Sequence, residues 1–185
     1  MSTTNRRRER GYSFEKSIVD QFNADRWTAR RLGGSSTGLP DIVATSSSRQ
    51  MLFSIEAKST IGDACYVPND QLVRCYEILR MFDMYSWRYI VLAFKFAKSK
   101  TNKNKKLQYW YFVVEDYYGI HNIKSVKCKR DGQLTINIKD IEYKAYLLTR
   151  TYTTLKEIME MEREAYKPVK VEVYTSERKS LHNKQ

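Results

Sequence analysis

The first part of the chain carries an amphipathic pattern. Between residues 12 and 24, apolar side chains recur every four positions, at Phe14, Ile18 and Phe22. This period places the three side chains on one face of an α-helix. Ser13 precedes the stripe and is a residue type that caps helix N-termini. The pattern predicts a helix over residues 12–24 with Ser13 as candidate N-cap, and leaves an earlier start open.

Shorter apolar runs follow and predict β-strands. They cover residues 27–32, 42–44 and 51–58, and a Gly/Ser-rich loop and a polar turn separate them. The last two runs lie close together in the chain. A short polar turn between two such runs is typical of a β-hairpin.

The strand predicted over residues 51–58 carries charged residues on one face. Because side chains alternate along a strand, Glu56 and Lys58 should project together while their apolar neighbours face a core. In a hairpin with the preceding strand, Asp41, which follows Pro40, comes beside Glu56. Two carboxylates and one ammonium group would then share one small site.

The middle of the chain predicts one more helix and two more strands. Residues 59–68 are expected to form a loop, and Asn69 is a candidate cap for a helix that ends near Met84. The apolar runs Tyr89–Phe96 and Gln108–Val114 are typical of central strands. Weaker signals follow: strands over 120–128 and 133–138 around a turn at Asp131 and Gly132, helices over 140–148 and 154–166, and an edge strand over 169–173.

This order of elements predicts an α/β fold with a mixed central β-sheet flanked by helices. A length of 185 residues suits one domain with a small elaboration. We expect four segments: a flexible basic arm over residues 1–10, a folded domain over 11–148, a C-terminal helix and possible strand over 149–175 packed on that domain, and a disordered tail over 176–185.

The charge of the chain favours a polyanionic partner. Lysine and arginine outnumber aspartate and glutamate by 33 to 21, which gives a net charge of +12. Nucleic acid is the first candidate, and an acidic membrane surface and ribosomal RNA remain alternatives. No apolar stretch has membrane-spanning length, and no apolar region follows the N-terminal arginines as a secretory signal requires. We therefore expect a cytoplasmic, nucleoid-associated protein.

Two familiar kinds of ligand site are not supported by the sequence. The 3 cysteines and 2 histidines form no CxxC pair or cluster, which argues against structural zinc and fits a reducing cytosol. The segment Gly33–Gly38 is glycine-rich but lacks the Gly-Lys-Ser/Thr ending of a P-loop, so ATP binding is rejected. Its hydroxyls and backbone amides can instead approach a phosphate.

The candidate chemistry lies at the predicted hairpin. Asp41 and Glu56 offer carboxylate oxygens, the ligands that suit Mg²⁺ or Mn²⁺. Lys58 could orient or deprotonate an attacking water, or neutralise charge in a phosphoryl-transfer transition state. An exposed, ion-paired strand face is the structural alternative. Glu15, at the edge of the helical stripe, is by itself typical of a solvated surface residue.

Two basic segments are candidates for DNA contact. The arm with Arg6, Arg7, Arg8 and Arg10 is either a phosphate clamp or a solvated tail, and we favour the clamp in so basic a chain. The hairpin Lys98–Lys106 holds five lysines and no acidic residue. A DNA-contacting loop and a solubilising turn explain this hairpin equally well.

These motifs occur in the order found in one group of nucleases. The chain resembles archaeal Holliday junction resolvases, within the PD-(D/E)xK superfamily, from about Arg6 to Val114 and more weakly to about Leu148. The resemblance implies a restriction-endonuclease-like sheet with a C-terminal α/β extension, and DNA cleavage that depends on Mg²⁺, for which Mn²⁺ substitutes. It assigns as catalytic Glu15, Ser35, Asp41, Glu56 and Lys58, with Glu15, Asp41 and Glu56 as metal ligands.

The resemblance also implies how the protein meets branched DNA. A homodimer with two-fold symmetry would place two active sites across a four-way junction, with an apolar dimer patch from the second helix and the Tyr89–Phe96 strand. Lys16 stands where the family commonly has arginine, so bidentate phosphate binding is lost there. The expected DNA-binding residues are Arg6, Arg7, Arg8, Arg10, Lys16, Arg30, Arg31, Ser36 and Gln71.

Other functions remain open from the sequence. A restriction or repair nuclease of the same superfamily would carry the same catalytic residues, because junction selectivity is a property of the surface. A non-catalytic DNA-binding protein could keep the fold without the chemistry. An RNA-binding or ribosome-associated protein is supported by charge and aromatic content alone.

Overall fold

The computed structural model describes residues 3–33, 38–98, 106–114, 120–139, 141–144 and 149–161. Within these ranges the chain forms helices and strands in alternating groups. In chain order the elements are α1 (Thr3–Asn23), β1 (Thr28–Arg31), β2 (Ile42–Ser46), β3 (Met51–Thr60), β4 (Ala64–Pro68), α2 (Asn69–Met81), β5 (Trp87–Phe96), β6 (Gln108–Val114), a 3-10 turn (Ile120–Asn122), β7 (Ile123–Lys129), β8 (Leu134–Ile138), β9 (Ile141–Lys144), β10 (Thr149–Tyr152) and α3 (Leu155–Met159).

The strands form two sheets. The first is six-stranded and mixed, in the order β1-β2-β3-β5-β6-β10, with β3 and β5 parallel and the other neighbours antiparallel. The second is four-stranded and antiparallel, in the order β4-β7-β8-β9. The predicted mixed central sheet flanked by helices is confirmed. The second sheet was not predicted as a separate layer.

Apolar cores lie on both sides of the six-stranded sheet. α1 and α3 cover one face, where Phe14 and Phe53 belong to one buried cluster. α2 and the four-stranded sheet cover the other, where Leu72 and Leu92 belong to a second cluster. Each such side chain contributes roughly 1.5–3 kcal/mol when it leaves water. Among the described elements, no helix is both long enough and apolar enough to cross a membrane.

The first helix is longer than its apolar pattern predicts. α1 begins at Thr3, so Ser13 lies inside the helix and does not cap it. The prediction of a flexible arm is wrong for residues 3–10, which form the first turns of α1. Arginine and glutamate are good helix formers, and the buried stripe that starts at Phe14 anchors the helix they extend.

The segment before α2 also differs from its prediction. Residues 64–68, expected as part of a loop, form β4, in which Cys65 and Val67 are buried and their neighbours are not. Asn69 does not cap α2, whose N-cap position is Pro68 without a side-chain bond. The Asn69 amide instead donates to Ile120 O at 3.0 Å and Ile123 O at 2.6 Å. It therefore joins the start of α2 to the second sheet.

The prediction of a helix over residues 140–148 is wrong for residues 141–144, the part of this range that the structure describes. Ile141–Lys144 form β9, which pairs with β8. Lys139, between the two strands, has a φ of 49°, a left-handed conformation typical of tight turns. Pairing with the edge of a sheet thus overrides local helix preference.

The C-terminal described segment completes the main sheet. β10 pairs with β6, and Leu155 and Ile158 of α3 are buried in the α1-side core. Thr154 caps α3 in a capping box with Glu157, so the predicted start of this helix is confirmed. The predicted edge strand over 169–173 and the predicted tail over 176–185 lie outside the described residues.

Candidate active site

The β2–β3 hairpin brings the predicted motif together. Ile42 pairs with Ile55, so Asp41 enters the sheet opposite the segment that holds Glu56. Asp41 Oδ2 accepts a hydrogen bond from Ala57 N at 2.9 Å, which fixes its carboxylate against β3. Leu32 N donates to Asp41 O at 3.0 Å and ties the end of β1 to the same place.

Glu56 is a buried carboxylate with a charged partner. It is 2% exposed, and its Oε1 accepts a hydrogen bond from Lys58 Nζ. Burial raises the pKa of Glu56 to about 7; the Lys58 charge opposes this rise, and the Asp41 carboxylate adds to it. The structure thus gathers the three side chains as the hairpin predicts, and their catalytic roles remain predictions.

Two residues that the sequence analysis did not single out border Glu56. Ser54 is buried on the same face of β3, and Cys75 of α2 lies near enough that the Glu56 charge acts with burial to raise the pKa of its thiol. A thiol that stays protonated is a poor nucleophile, so Cys75 packs the site and does not react in it. The two-residue spacing from Glu56 was the signal that could have identified Ser54.

Gln71 lies one helical turn before Cys75 on α2, and its side-chain oxygen Oε1 is buried. It is half-buried in the first turns of α2. Its Oε1 is buried with no hydrogen-bond partner among the described residues. Such atoms usually meet a partner, water or ligand, so Gln71 retains acceptor capacity for a bound group.

Glu15 is held by an arginine at the edge of the site. Arg31 Nε and a terminal guanidinium nitrogen each lie 2.7 Å from Glu15 Oε2. The Arg31 guanidinium also lies 4.5 Å from the centre of the Tyr12 ring, at cation–π distance. Arg31 pairs with Ile42, next to Asp41. The predicted helix glutamate is therefore next to the hairpin, although among the described residues no three acidic, histidine or cysteine side chains form a metal-binding cluster.

The other predicted DNA-binding residues lie around α1 and β1. Arg6, Arg7 and Arg8 are exposed on the first turns of α1. Arg10 is half-buried.

Two further predicted residues hold local partners. Lys16 is exposed and forms a 2.6 Å ion pair with Asp20, and the Arg30 guanidinium donates to Ala29 O at 2.8 Å. Ser35 and Ser36 lie outside the described residues. Gly33, at the entrance to their loop, has a φ of 131°, a conformation that side-chain-bearing residues rarely adopt.

The donor set fits a divalent cation. Asp41 and Glu56 present carboxylate oxygens from adjacent strands, and hard cations prefer such ligands. The raised pKa of Glu56 indicates that Lys58 alone does not compensate its buried charge. A cation between the carboxylates would supply the missing positive charge. Glu15 could join them by exchanging its Arg31 partner.

The chain matches the model of one protein family over most of its length. The family model of archaeal Holliday junction resolvases (Hjc) matches residues 6–141, which include Glu15, Asp41, Glu56 and Lys58. The chain belongs to the archaeal Holliday junction resolvase family. The resolvase match ends before β10, which completes the six-stranded sheet of this chain, and before α3, which packs in the α1-side core.

The similarity to individual relatives covers a smaller share of the chain. The crossover junction endodeoxyribonuclease Hje of Sulfolobus acidocaldarius is 33% identical over 91 residues, which are 48% of this chain and 64% of that protein. The match therefore spans just under two thirds of that relative's length. The structure of Hjc, a Holliday junction resolvase from Archaeoglobus fulgidus, is similar with a TM-score of 0.46 and 19% identity, over 65% of this chain and 84% of that one.

Proposed function

We propose that this protein is a Mg²⁺-dependent endonuclease that resolves four-way DNA junctions as a homodimer. The observation that carries the proposal is the hairpin site, where Asp41, buried Glu56 and Lys58 meet at the end of two paired strands. Membership of the resolvase family supports the substrate.

In this proposal the carboxylates of Asp41 and Glu56 would hold Mg²⁺, with Glu15 as a third ligand. When bound, the cation would supply Lewis-acid chemistry, which favours deprotonation of the attacking water and offsets charge on the phosphoryl oxygens. Asp41 is well suited to its role because the Ala57 N–H orients its carboxylate. Glu56 is held on the rigid central strand β3, so its geometry does not depend on a loop.

Lys58 is the proposed proton-handling or charge-stabilising residue. Its ammonium is bonded to Glu56 and its side chain is 24% exposed, so it can contact both the site and an incoming phosphate. From there it orients or helps to deprotonate the attacking water, or neutralises the pentavalent transition state. Ser35 is proposed, from the family resemblance, to contact the reacting phosphate from the glycine-rich loop.

The proposed substrate contact is electrostatic. Arg6, Arg7 and Arg8 project from the first turns of α1, and Arg31 lies beside the metal ligands. Arginines grip phosphates without regard to base sequence, which suits recognition of a branch by its shape. A two-fold dimer would present two such sites to opposing strands of one junction.

The test is cleavage of matched DNA substrates. Four-way, flap and linear duplex DNA of the same sequence are incubated with the protein, with Mg²⁺ and with EDTA. We expect paired, symmetric cuts in the four-way junction alone, and none in EDTA. Equal cleavage of linear duplex would reject the resolvase function in favour of a restriction or repair nuclease. Sedimentation of the protein with and without junction tests the homodimer.

A further inference from the structure

The four-stranded sheet turns one face to the core, and on its opposite face Tyr66 and Lys129 are exposed and Lys127 is half-buried. Cys65 of β4 pairs with Cys128 of β7, and Val67 pairs with Val126. All four side chains are buried. Because side chains alternate along a strand, the residues between them form an outer face of β4, β7 and β8.

This outer face is basic and carries an exposed aromatic ring. Tyr66 pairs with Lys127, which pairs in turn with Thr135 of β8. Tyr66 is 56% exposed, and Lys127 Nζ lies 5.7 Å from the centre of its ring, at cation–π distance. Lys129, the next outward residue of β7, donates to Gln133 Oε1 at 2.6 Å. Strands β4, β7 and β8 contain no aspartate or glutamate, and the fourth strand, β9, places Lys144 opposite Thr135 and Glu142 opposite Asn137.

The outer face is fixed in place relative to the active site. β4 follows β3, the strand of Glu56 and Lys58, after residues 61–63. The Arg130 guanidinium, just after β7, donates to Ile61 O at 3.1 Å, Gly62 O at 3.0 Å and Ala97 O at 3.2 Å. The same side chain thereby joins the second sheet to the ends of β3 and β5.

A second contact holds the β7–β8 turn against the main sheet. Trp110 of β6 donates its indole N–H to Arg130 O at 3.0 Å. A Cβ at Gly132, where φ is 88°, would lie 2.8 Å from the Trp110 ring. Only glycine allows this close approach, so the turn is held against β6.

The open face matches a polyanion better than the adjoining cavity does. That cavity has a volume of about 430 Å³. Its lining includes two carboxylates, Asp63 and Asp131, beside Lys106, Lys129 and Arg130. Carboxylates repel phosphate; Lys129 lies where this cavity meets the outer face, whereas Lys127 and Tyr66 do not line the cavity.

We propose that the outer face of β4, β7 and β8 binds the backbone of one duplex arm of the DNA, with Lys127 and Lys129 as phosphate contacts. Tyr66 is a positioning residue that keeps the Lys127 ammonium on the outer face. This proposal rests on the proposed function for one point, that the DNA bound is a four-way junction. It extends the contact from the α1 arginines to the second sheet.

The experiment is equilibrium binding of a four-way junction in EDTA, over a range of salt concentrations. Each phosphate contact contributes about 0.9 to the slope of log affinity against log salt. We expect the double variant Lys127→Gln, Lys129→Gln to lower that slope by about one to two and to bind roughly tenfold more weakly. Lys156→Gln, on α3 across the main sheet, is the matched control and should leave both values unchanged.

A second pair of variants tests the role of Tyr66. Tyr66→Phe keeps a ring for the Lys127 ammonium and should bind like the wild type, while Tyr66→Ala should weaken binding several-fold. Because Tyr66 is exposed, thermal melts of both variants should match the wild type. In Mg²⁺, the double lysine variant should need a higher junction concentration for half-maximal cleavage, while the control Lys156→Gln should cleave like the wild type.

The two proposals fail in different ways. If the wild type binds junctions but never cuts them, the resolvase function is rejected while the binding data still decide the role of this face. A double lysine variant with the wild-type slope and affinity overturns the inference, and would leave the face to a protein or RNA partner. Equal binding by Tyr66→Phe and Tyr66→Ala overturns the role given to Tyr66.

Discussion

At the residue scale, Glu56 combines burial with charge. Its carboxylate is 2% exposed and lies beside Asp41, and its ion pair with Lys58 only partly compensates the buried charge. Burial raises the pKa of Glu56 to about 7, so the protein without metal keeps this group protonated more readily than the unfolded chain does. Such a site favours cation binding, because a bound metal ion would offset the desolvation cost of the ionised Glu56 carboxylate.

The raised pKa of Glu56 predicts a pH-dependent stability. Between pH about 4.5 and 7 the folded protein binds more protons than the unfolded chain, so the free energy of unfolding falls as pH rises. The contribution is complete below the unfolded pKa and is lost as pH passes the folded pKa, with a size on the order of 1–3 kcal/mol.

Urea unfolding in EDTA at several pH values measures this contribution. Glu56→Gln should remove that part of the pH dependence, while Glu9→Gln, an exposed control on α1, should keep it. A wild type and Glu56→Gln with parallel stability–pH curves would contradict the prediction. Added Mg²⁺ should raise the stability of the wild type most at high pH.

The catalytic roles of the hairpin carboxylates are tested by isosteric amides. Asp41→Asn and Glu56→Gln remove one negative charge each while keeping shape, so the metal should bind poorly and cleavage should fall by roughly 1,000-fold or more. Junction binding in EDTA should remain, since it depends on the basic surface. Cleavage that survives in either variant would show that the site is assigned wrongly.

At the element scale, α1 carries both the proposed DNA-binding arginines and Glu15, a proposed metal ligand. Its first turns carry exposed arginines, and one to two turns later the same helix carries Glu15, which Arg31 of β1 holds beside the hairpin. The buried stripe from Phe14 to Phe22 packs the helix on the main sheet. A phosphate held by the first turns is therefore rigidly placed relative to the carboxylates, which a flexible arm would not achieve.

Removing the positive charge of these turns tests their role. Replacement of Arg6, Arg7, Arg8 and Arg10 by alanine keeps helix propensity and should weaken junction binding while reducing the salt slope by about two to four. Circular dichroism checks that the helix persists. An unchanged slope would mean that these arginines are solvated and do not touch DNA.

At the scale of the whole molecule, the C-terminal described segment is part of the fold. β10 covers the β6 edge of the main sheet, and α3 inserts Leu155, Ile158 and Met159 into the α1-side core. An uncovered edge strand is a site for pairing with other chains. The segment therefore stabilises the same core that positions α1 and Glu15.

Replacement of Ile158 tests how much the packing of this segment contributes to the free energy of unfolding. Ile158 is fully buried, at 0% exposure, so Ile158→Ala should lower the free energy of unfolding by about 2–4 kcal/mol. Lys156→Ala, exposed on the same helix, should change it by less than about 0.5 kcal/mol. Equal stability of the two variants in thermal or urea unfolding would show that residues 149–161 pack loosely on an independent domain.

The sequence by itself determined the strands of the main sheet up to β6 and the pairing of the active-site hairpin. Polar and apolar side chains alternate around Glu56 and Lys58, and a polar turn precedes Met51. Only one register of β2 against β3 fits this pattern, and it buries Phe53 and Ile55. The α/β class and the proximity of Asp41 to Glu56 follow from that register. Local pattern suffices here because the partners are close in the chain and one face is fully apolar.

Only the tertiary structure decided the second sheet, the use of Asn69 and the place of the C-terminal segment. β4 is short and exists because a distant strand, β7, pairs with it. β10 likewise completes a sheet that begins more than a hundred residues earlier, at β1. The basic outer face of β4, β7 and β8 depends on the same kind of long-range pairing, and the Glu15–Arg31 pair depends on the packing of α1 beside β1. Sequence periodicity reports which face of an element is buried, whereas the partner that buries it is chosen by the packing of the whole chain.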